Sequence, residues 1–482
     1  MIGDLWYKNA IVYSLDVETY LDANGDGIGD FEGLTRRLDY LEGLGVTAVW
    51  LTPFQPSPRR DDGYDIADFY GVDRRFGSGG DFVEFMREAD SRGIRILMDL
   101  VVNHTSNEHP WFQERHDWYV WSKRRPANWR SGVVFPGVQK STWTYDKKAR
   151  EYYFHRFYDF QPDLDMDNPR VREEVRRIMG FWLQLGVAGF RMDAVPFVLE
   201  KPPRGKAKPQ IHFEYLEQFR EFLQWRVGDA VLLGEANVMP QETQPYFGGG
   251  HGLHMMFNFW VNQHLWLALA TGDARPLARA LRATRKLPPT AQWAHFLRNT
   301  DELDLGRLAA ADRKQVFATF APEESMQLYG RGIRRRPAPM IGDARRLQLA
   351  YSLVRRSPVE DPAMEAALAA SGASIVASAV LAGGALTGKY DDAGAGGRLA
   401  ARRDDPALAA ARDAGRRLRA LAGELDTTAA ALAIAFTIAH PACASVLVGA
   451  TSAGQVAENA VAADLLARLD GEQLARLRAI GA

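Results

Sequence analysis

Short apolar runs alternating with amphipathic segments constrain this chain more than any other feature. Runs of three to seven residues recur at Ala10–Leu15, Ala48–Leu51, Ile94–Leu100, Gly189–Met192, Val231–Leu233, Met255–Phe259 and Trp293–Phe296. Helical patterns separate several of them, as at Leu34–Leu44 and Val171–Leu185, and Gly45 stands where a helix C-cap is expected. Such alternation marks βα units and a parallel sheet. Seven strands in about 300 residues, each followed by a polar loop, predict an α/β fold of the (β/α)₈ TIM-barrel type. A doubly wound sheet is the runner-up, weakened by the lack of a glycine-rich phosphate loop after the first strand. The 104–165 stretch is too long for a βα loop and carries five tryptophans. It reads as a subdomain inserted after strand 3, walling a cleft over the barrel's C-terminal face.

Composition narrows the function classes. Lys+Arg (59) nearly balances Asp+Glu (60), so no global field recruits nucleic acid or an anionic membrane. Cys443 is the only cysteine, which excludes a disulfide scaffold. The longest apolar run, Ala429–Ala439, is too short to span a bilayer, and the first residues lack a secretory pattern. The default expectation is a cytoplasmic protein. All 12 tryptophans lie between Trp6 and Trp293, whereas 39 of the 132 residues from Tyr351 onward are alanine. That contrast suggests two segments of different origin.

Functional residues of a barrel gather where strands end. Here the strand ends carry Asp99, Asn103 and His104, then Arg191 and Asp193, then Glu235, then Asp301. Paired carboxylates flanking a glycosidic bond can serve as nucleophile and acid/base when their environments differ. Arg191 would keep Asp193 ionised, and the aromatic residues offer stacking faces for sugar rings.

These residues resemble a known family. Asp99–His104, Gly189–Asp193, Gly234–Asn237, Phe296–Asp301 and Gln161–Leu164 are similar, in order, to the motifs of the α-amylase superfamily, glycoside hydrolase family 13. The nearest likeness is to its trehalose synthase and oligo-1,6-glucosidase branch, over residues 1–345. The resemblance implies a retaining enzyme acting on α-linked glucosyl oligosaccharides, with Asp193 as nucleophile, Glu235 as acid/base and Asp301 as the third acid. It further implies substrate contacts from His104, Arg191, Tyr64 as a stacking face and Asp65 as a hydroxyl acceptor. One position departs from the pattern. Thr300 stands where the family usually has histidine, which weakens transition-state binding.

Asp22-Ala-Asn24-Gly-Asp26-Gly-Ile28-Gly-Asp30 places oxygen ligands at alternate positions, as suits calcium. An EF-hand is excluded by Gly33 in the twelfth position. The resemblance implies a Ca²⁺ site using Asp22, Asn24, Asp26, Asp30 and the Ile28 carbonyl.

Residues 346–482 resemble the second half of an aldo-keto reductase, through Tyr351–Pro358, Leu381–Tyr390, Val448–Gln455 and Glu458-Asn459. Gly449, Thr451, Ser452, Gln455 and Asn459 are then weak candidates for an NADP phosphate site. The catalytic residues of that family lie in its first half, so hydride transfer is not expected. The chain thus reads as a chimera of two barrel families. An impaired sugar- or nucleotide-binding fusion and an NADP-dependent oxidoreductase are the alternative functions. Ser374–Ala379 is expected to close the barrel as its eighth strand, reached through a crossover helix at Arg346–Val354, with Ser445–Val448 displaced.

Overall fold

The computed structural model describes residues 5–8, 10–200, 210–354, 375–378, 380–391, 399, 408–440, 443–448, 450 and 452–481. It divides into two units, Met1–Arg355 and Arg356–Ala482.

In the first unit, β1 (Val12–Leu15), β2 (Ala48–Leu51) and β3 (Arg95–Leu100) are followed by three short strands, β4 (Trp121–Ser122), β5 (Trp143–Asp146) and β6 (Glu151–Phe154). Then come β7 (Gly189–Met192), β8 (Val231–Gly234), β9 (Met255–Phe257) and β10 (Gln292–Ala294). Strands β1, β2, β3, β7, β8, β9 and β10 form one parallel sheet in that order. All seven expected strands are present. The expected Met255–Phe259 is cut short because Asn258 accepts a hydrogen bond from Val261 N and caps the helix Phe259–Thr271. The expected Leu34–Leu44 helix is two, Phe31–Arg36 and Leu38–Gly43, broken at Arg37.

Strand parity sorts the side chains into two layers. Val49, Leu51, Ile96, Met98, Phe190 and Met192 face the helices in the larger core. Trp50, Leu97, Val231, Leu233, Met255 and Phe257 fill the interior with Tyr7. Among the described residues no strand closes the sheet between β1 and β10, and side chains bridge its lower rim. Tyr7 Oη donates to the Thr290 carbonyl (2.5 Å), and Gln292 Nε2 donates to the Lys8 carbonyl (3.2 Å).

The inserted lobe is a three-stranded antiparallel sheet, β4-β6-β5, its two ends tied by bridges His104–Asp163 and Tyr119–Leu164. After β10 lies a second small sheet that the sequence did not suggest, formed by β11 (Leu303–Asp304), β12 (Gln327–Leu328) and β13 (Gly332–Ile333).

In the second unit, β14 (Ile375–Ser378) pairs in parallel with β15 (Cys443–Leu447) in a sheet of their own. This corrects the expectation that Ser374–Ala379 joins the seven strands and leaves Ser445–Val448 displaced. Each strand satisfies one edge of the other within the second unit, so their first pairing is local. Ser374 and Ala379 themselves lie outside the described residues. The ambiguous Arg346–Val354 is helical, within Ala344–Val354. Helix Ala429–Ile438 is apolar all round and forms the second unit's core with Leu418, Leu421 and Leu465.

Gly189 opens β7 at φ +150°, and a Cβ there would lie 2.3 Å from the Val231 carbonyl oxygen of β8. Gly43, at the end of its helix, would place a Cβ in open space. Gly189→Ala is expected to lower the melting temperature by about 5 °C or more, and Gly43→Ala to leave it level or slightly higher. Differential scanning calorimetry of the two variants checks this.

Candidate active site

Parity and register bring the catalytic candidates together. Asp99 on β3 lies directly opposite Arg191 on β7, and Arg191 opposite Leu233 on β8. Two residues beyond those inward-facing positions come Asp193 and Glu235, so both face inward as well. The ladder continues past the strand ends to hold them, with Asp193 N donating to the Leu100 carbonyl (3.2 Å) and Glu235 N to the Met192 carbonyl (3.1 Å). Ala194, directly after Asp193, takes left-handed backbone angles (φ +47°). Strain of this kind concentrates at functional sites, and here it lets Ala194 N donate to Glu235 Oε2 (3.3 Å).

The Arg191 guanidinium is fully buried and joins the acids. Its Nη1 donates to Asp99 Oδ1 (2.7 Å) and Asp193 Oδ1 (2.6 Å). Nη2 stands 2.7 Å from Glu235 Oε2 and 4.0 Å from Asp301 Oδ2. The Trp50 and Tyr64 rings cover the guanidinium at 5.0 and 5.8 Å. Trp50 Nε1 (3.2 Å) and Tyr64 Oη (3.1 Å) both donate to Asp99 Oδ2. Asp99 belongs to no predicted role, yet it is the acid that holds Arg191. Its place at a strand end was the only sequence signal, and its register opposite Arg191 emerges only in the sheet.

Four carboxylates surround one guanidinium, with Asp99, Asp193 and Glu235 largely buried and Asp301 half exposed. Burial pushes the Asp193 carboxyl well up, Arg191 opposes that, and Glu235, Asp99 and Asp301 add to the rise. Burial and the charge of Glu235 do the same to Asp301. Burial lifts Asp99 to about 6 against the pull of Arg191. The rise at Asp193 runs against the expectation that Arg191 keeps it ionised, because burial and three neighbouring carboxylates outweigh one guanidinium.

Burial pulls His104 down to about 4, so its ring is neutral. Asn103 Nδ2 lies 3.3 Å from Nδ1, which places the proton on Nε2, 3.1 Å from the Tyr64 carbonyl. Asp65 is not at the cleft surface. It is fully buried, accepting from Ser57 Oγ (2.8 Å), Arg60 N (3.2 Å) and Asp61 N (3.3 Å), so it shapes the β2 loop. Thr300 Oγ1 is buried without a partner beside Asp301. Arg298 Nε fixes the Asp301 carbonyl (2.7 Å).

Aromatic residues from the inserted lobe and from the sheet after β10 meet near these residues. Phe135 contacts Tyr158 (5.0 Å) and Tyr329 (5.2 Å), the two tyrosine hydroxyls share a hydrogen bond, and Arg331 Nη2 donates to the Val134 carbonyl (3.1 Å).

The Asp22–Asp30 turn is held by its own backbone. Asp22 accepts from Gly25 N (2.6 Å) and Gly27 N (2.8 Å), Asn24 from Asp26 N (2.9 Å), Asp26 from Ile28 N (2.8 Å) and Asp30 from Gly33 N (2.6 Å). Among the described residues no three acidic, histidine or cysteine side chains already converge as metal ligands. In the second unit Ser452 caps helix Ala453–Ala460 through Gln455 N, and Asn459 is buried on that helix. Gly449 and Thr451 lie outside the described residues.

Comparison with known proteins decides the family. Residues 17–318 match the α-amylase catalytic domain. The chain belongs to the α-amylase family. Residues 343–482 match the aldo/keto reductase family. The trehalose synthase of Thermus thermophilus is 44% identical over 359 residues, 73% of this chain and 37% of that protein. The trehalose synthase/amylase TreS of Mycolicibacterium smegmatis is 41% identical over 367 residues, 73% of this chain and 62% of that one. The α-glucosyl transfer enzyme XgtA is similar in structure, with a TM-score of 0.53 at 31% identity over 60% of each chain. This α-amylase-family chain therefore spans less than two thirds of the length of its curated relatives.

Asp163 of the inserted lobe supplies a pH test. Burial lifts its carboxyl to about 7, opposed by the Arg156 backbone N–H, which donates at 2.8 Å. An unfolded aspartate titrates at about 3.9. The folded state therefore binds this proton more tightly, and stability present below pH 4 is lost as pH rises towards 7. Asp163→Asn removes that loss. Thermal denaturation is expected to show the variant gaining on the wild type from pH 5 to about 7 and levelling off by pH 8, whereas parallel curves throughout would contradict the assignment.

Proposed function

We propose that this chain cleaves and transfers α-linked glucosyl groups by double displacement. The observation that carries the proposal is the single guanidinium of Arg191 spanning Asp193 and Glu235. Asp193 Oδ attacks the anomeric carbon as Glu235 gives its proton to the leaving oxygen, forming a glucosyl ester. Glu235 then takes a proton from the acceptor hydroxyl, whose oxygen displaces Asp193 and restores the α configuration. Asp301 holds the hydroxyls of the distorted ring, and Tyr64 supplies a stacking face above Arg191. Release of glucose from maltose or an aryl α-glucoside by the intact chain, lost in Asp193→Asn, tests the proposal.

The aromatic contacts of Phe135, Tyr158 and Tyr329 favour transfer to a retained sugar over transfer to water, because a closed cleft keeps the first product beside the ester. The names of the relatives, trehalose synthase and α-glucosyl transfer enzyme, agree with a glucosyl acceptor.

Thr300 leaves a hydroxyl unpartnered where the family's histidine would reach a sugar hydroxyl. Thr300→His is expected to raise kcat/KM on maltose by about tenfold or more, on the scale of one added transition-state donor. Steady-state kinetics read the change, and an equal or lower value contradicts the role given to this position.

We further propose that the Asp22–Asp30 turn holds Ca²⁺ through Asp22, Asn24, Asp26, Asp30 and the Ile28 carbonyl. The donor set is hard oxygen, each carboxylate oxygen keeps a lone pair beyond its backbone bond, and Gly25 (φ +82°) and Gly27 (φ +90°) permit the turn. The ion would cross-link the β1 loop to the following helix. Chelation by EGTA is expected to lower the melting temperature and added calcium to restore it. No response would show a plain Asx-rich turn.

A further inference from the structure

Of the twelve tryptophans, Trp225 alone is exposed, with 82% of its surface open to solvent. It stands near the C-terminus of helix Glu214–Arg226, beside a hollow of about 430 Å³ lined by Glu217, Arg220, Glu221, Gln224, Trp225 and His251. The helix leads into the start of β8, and His251 precedes the start of β9. The hollow therefore lies at the end of the barrel opposite the carboxylates. Its wall is fixed, because the buried Arg220 donates from Nη1 to the Gly252 carbonyl (3.0 Å) and locks the His251 turn against the helix.

We propose that this hollow is a second, non-catalytic site for a neutral glucan chain. An exposed indole offers an apolar face that a sugar ring can cover with its axial hydrogens. The side chains of Glu217, Glu221 and Gln224 make no hydrogen bond among the described residues, and with His251 they supply acceptors and donors for hydroxyls. Two carboxylates beside the indole repel phosphate, which disfavours a stacked nucleotide or nucleic acid. That the glucan is α-linked rests on the proposed action of the cleft. A site far from the carboxylates would tether the enzyme to a polymer without blocking turnover.

Native electrophoresis of the intact chain through gels containing amylopectin tests this, beside gels containing hydroxyethylcellulose. The wild type is expected to be retarded by amylopectin. Trp225→Ala should weaken that retardation about tenfold or more, as loss of a stacking face does, while maltose turnover and melting temperature stay level. Glu221→Ala should weaken it less. Equal retardation of wild type and Trp225→Ala would overturn the proposal, as would no retardation of either. Retardation by the β-linked polymer alone would overturn the ligand class. A dimer in sedimentation velocity that Trp225→Ala dissolves would instead assign the face to a second copy. Retardation is read without catalysis, so a cleft that fails to turn over maltose leaves this test standing.

Discussion

One buried guanidinium organises the candidate active site. Arg191 is without solvent, and a lone charge there would be costly. Asp99 meets it from the neighbouring strand in exact register, Asp193 from two residues further on, and Glu235 from the next strand. Removing Arg191 leaves Asp99 buried without its cation, and removing Asp99 takes away the acid that meets Arg191 in register, so the fold and the chemistry depend on the same contact. The Trp50 and Tyr64 rings lie against the guanidinium and hydrogen-bond Asp99. The excess of carboxylates over arginine, together with burial, raises the proton affinity of Asp99, Asp193 and Asp301.

The surroundings follow from this core. The inserted lobe is anchored by Asp163 and Leu164 beside His104 and Tyr119, which places its aromatic residues next to the catalytic strand ends. The small sheet after β10 reaches the same lobe through Tyr329 and Arg331. The loop carrying Thr300 and Asp301 is fastened by Arg298 and Arg336. A threonine at position 300 is thus accommodated without a substitute partner.

The strands of the first unit were legible because their apolar runs are continuous and bounded by loops, as parallel strands buried on both faces must be. Asp193, Glu235 and Asp301 were legible from their positions after such runs. Asp99 was visible as a strand-end acid, but its role was not, since register between β3 and β7 is a property of the assembled sheet. The loop partners of Asp65 were hidden for a related reason. A motif names the residue, whereas only the folded loop shows Ser57 and Arg60 taking its oxygens. The sheet of β11, β12 and β13 escaped notice because two-residue strands carry no period. The pairing of β14 with β15 was missed because edge satisfaction was assigned to the open barrel, although two strands in one unit satisfy each other locally.

The account stands on Asp193 acting as the covalent nucleophile with Glu235 as its acid/base. Mass spectrometry of the intact chain after treatment with a mechanism-based 5-fluoro-α-glucosyl fluoride tests this most directly. One fluoroglucosyl group on the peptide that contains Asp193 is the predicted result. The same label on Glu235 would contradict the account.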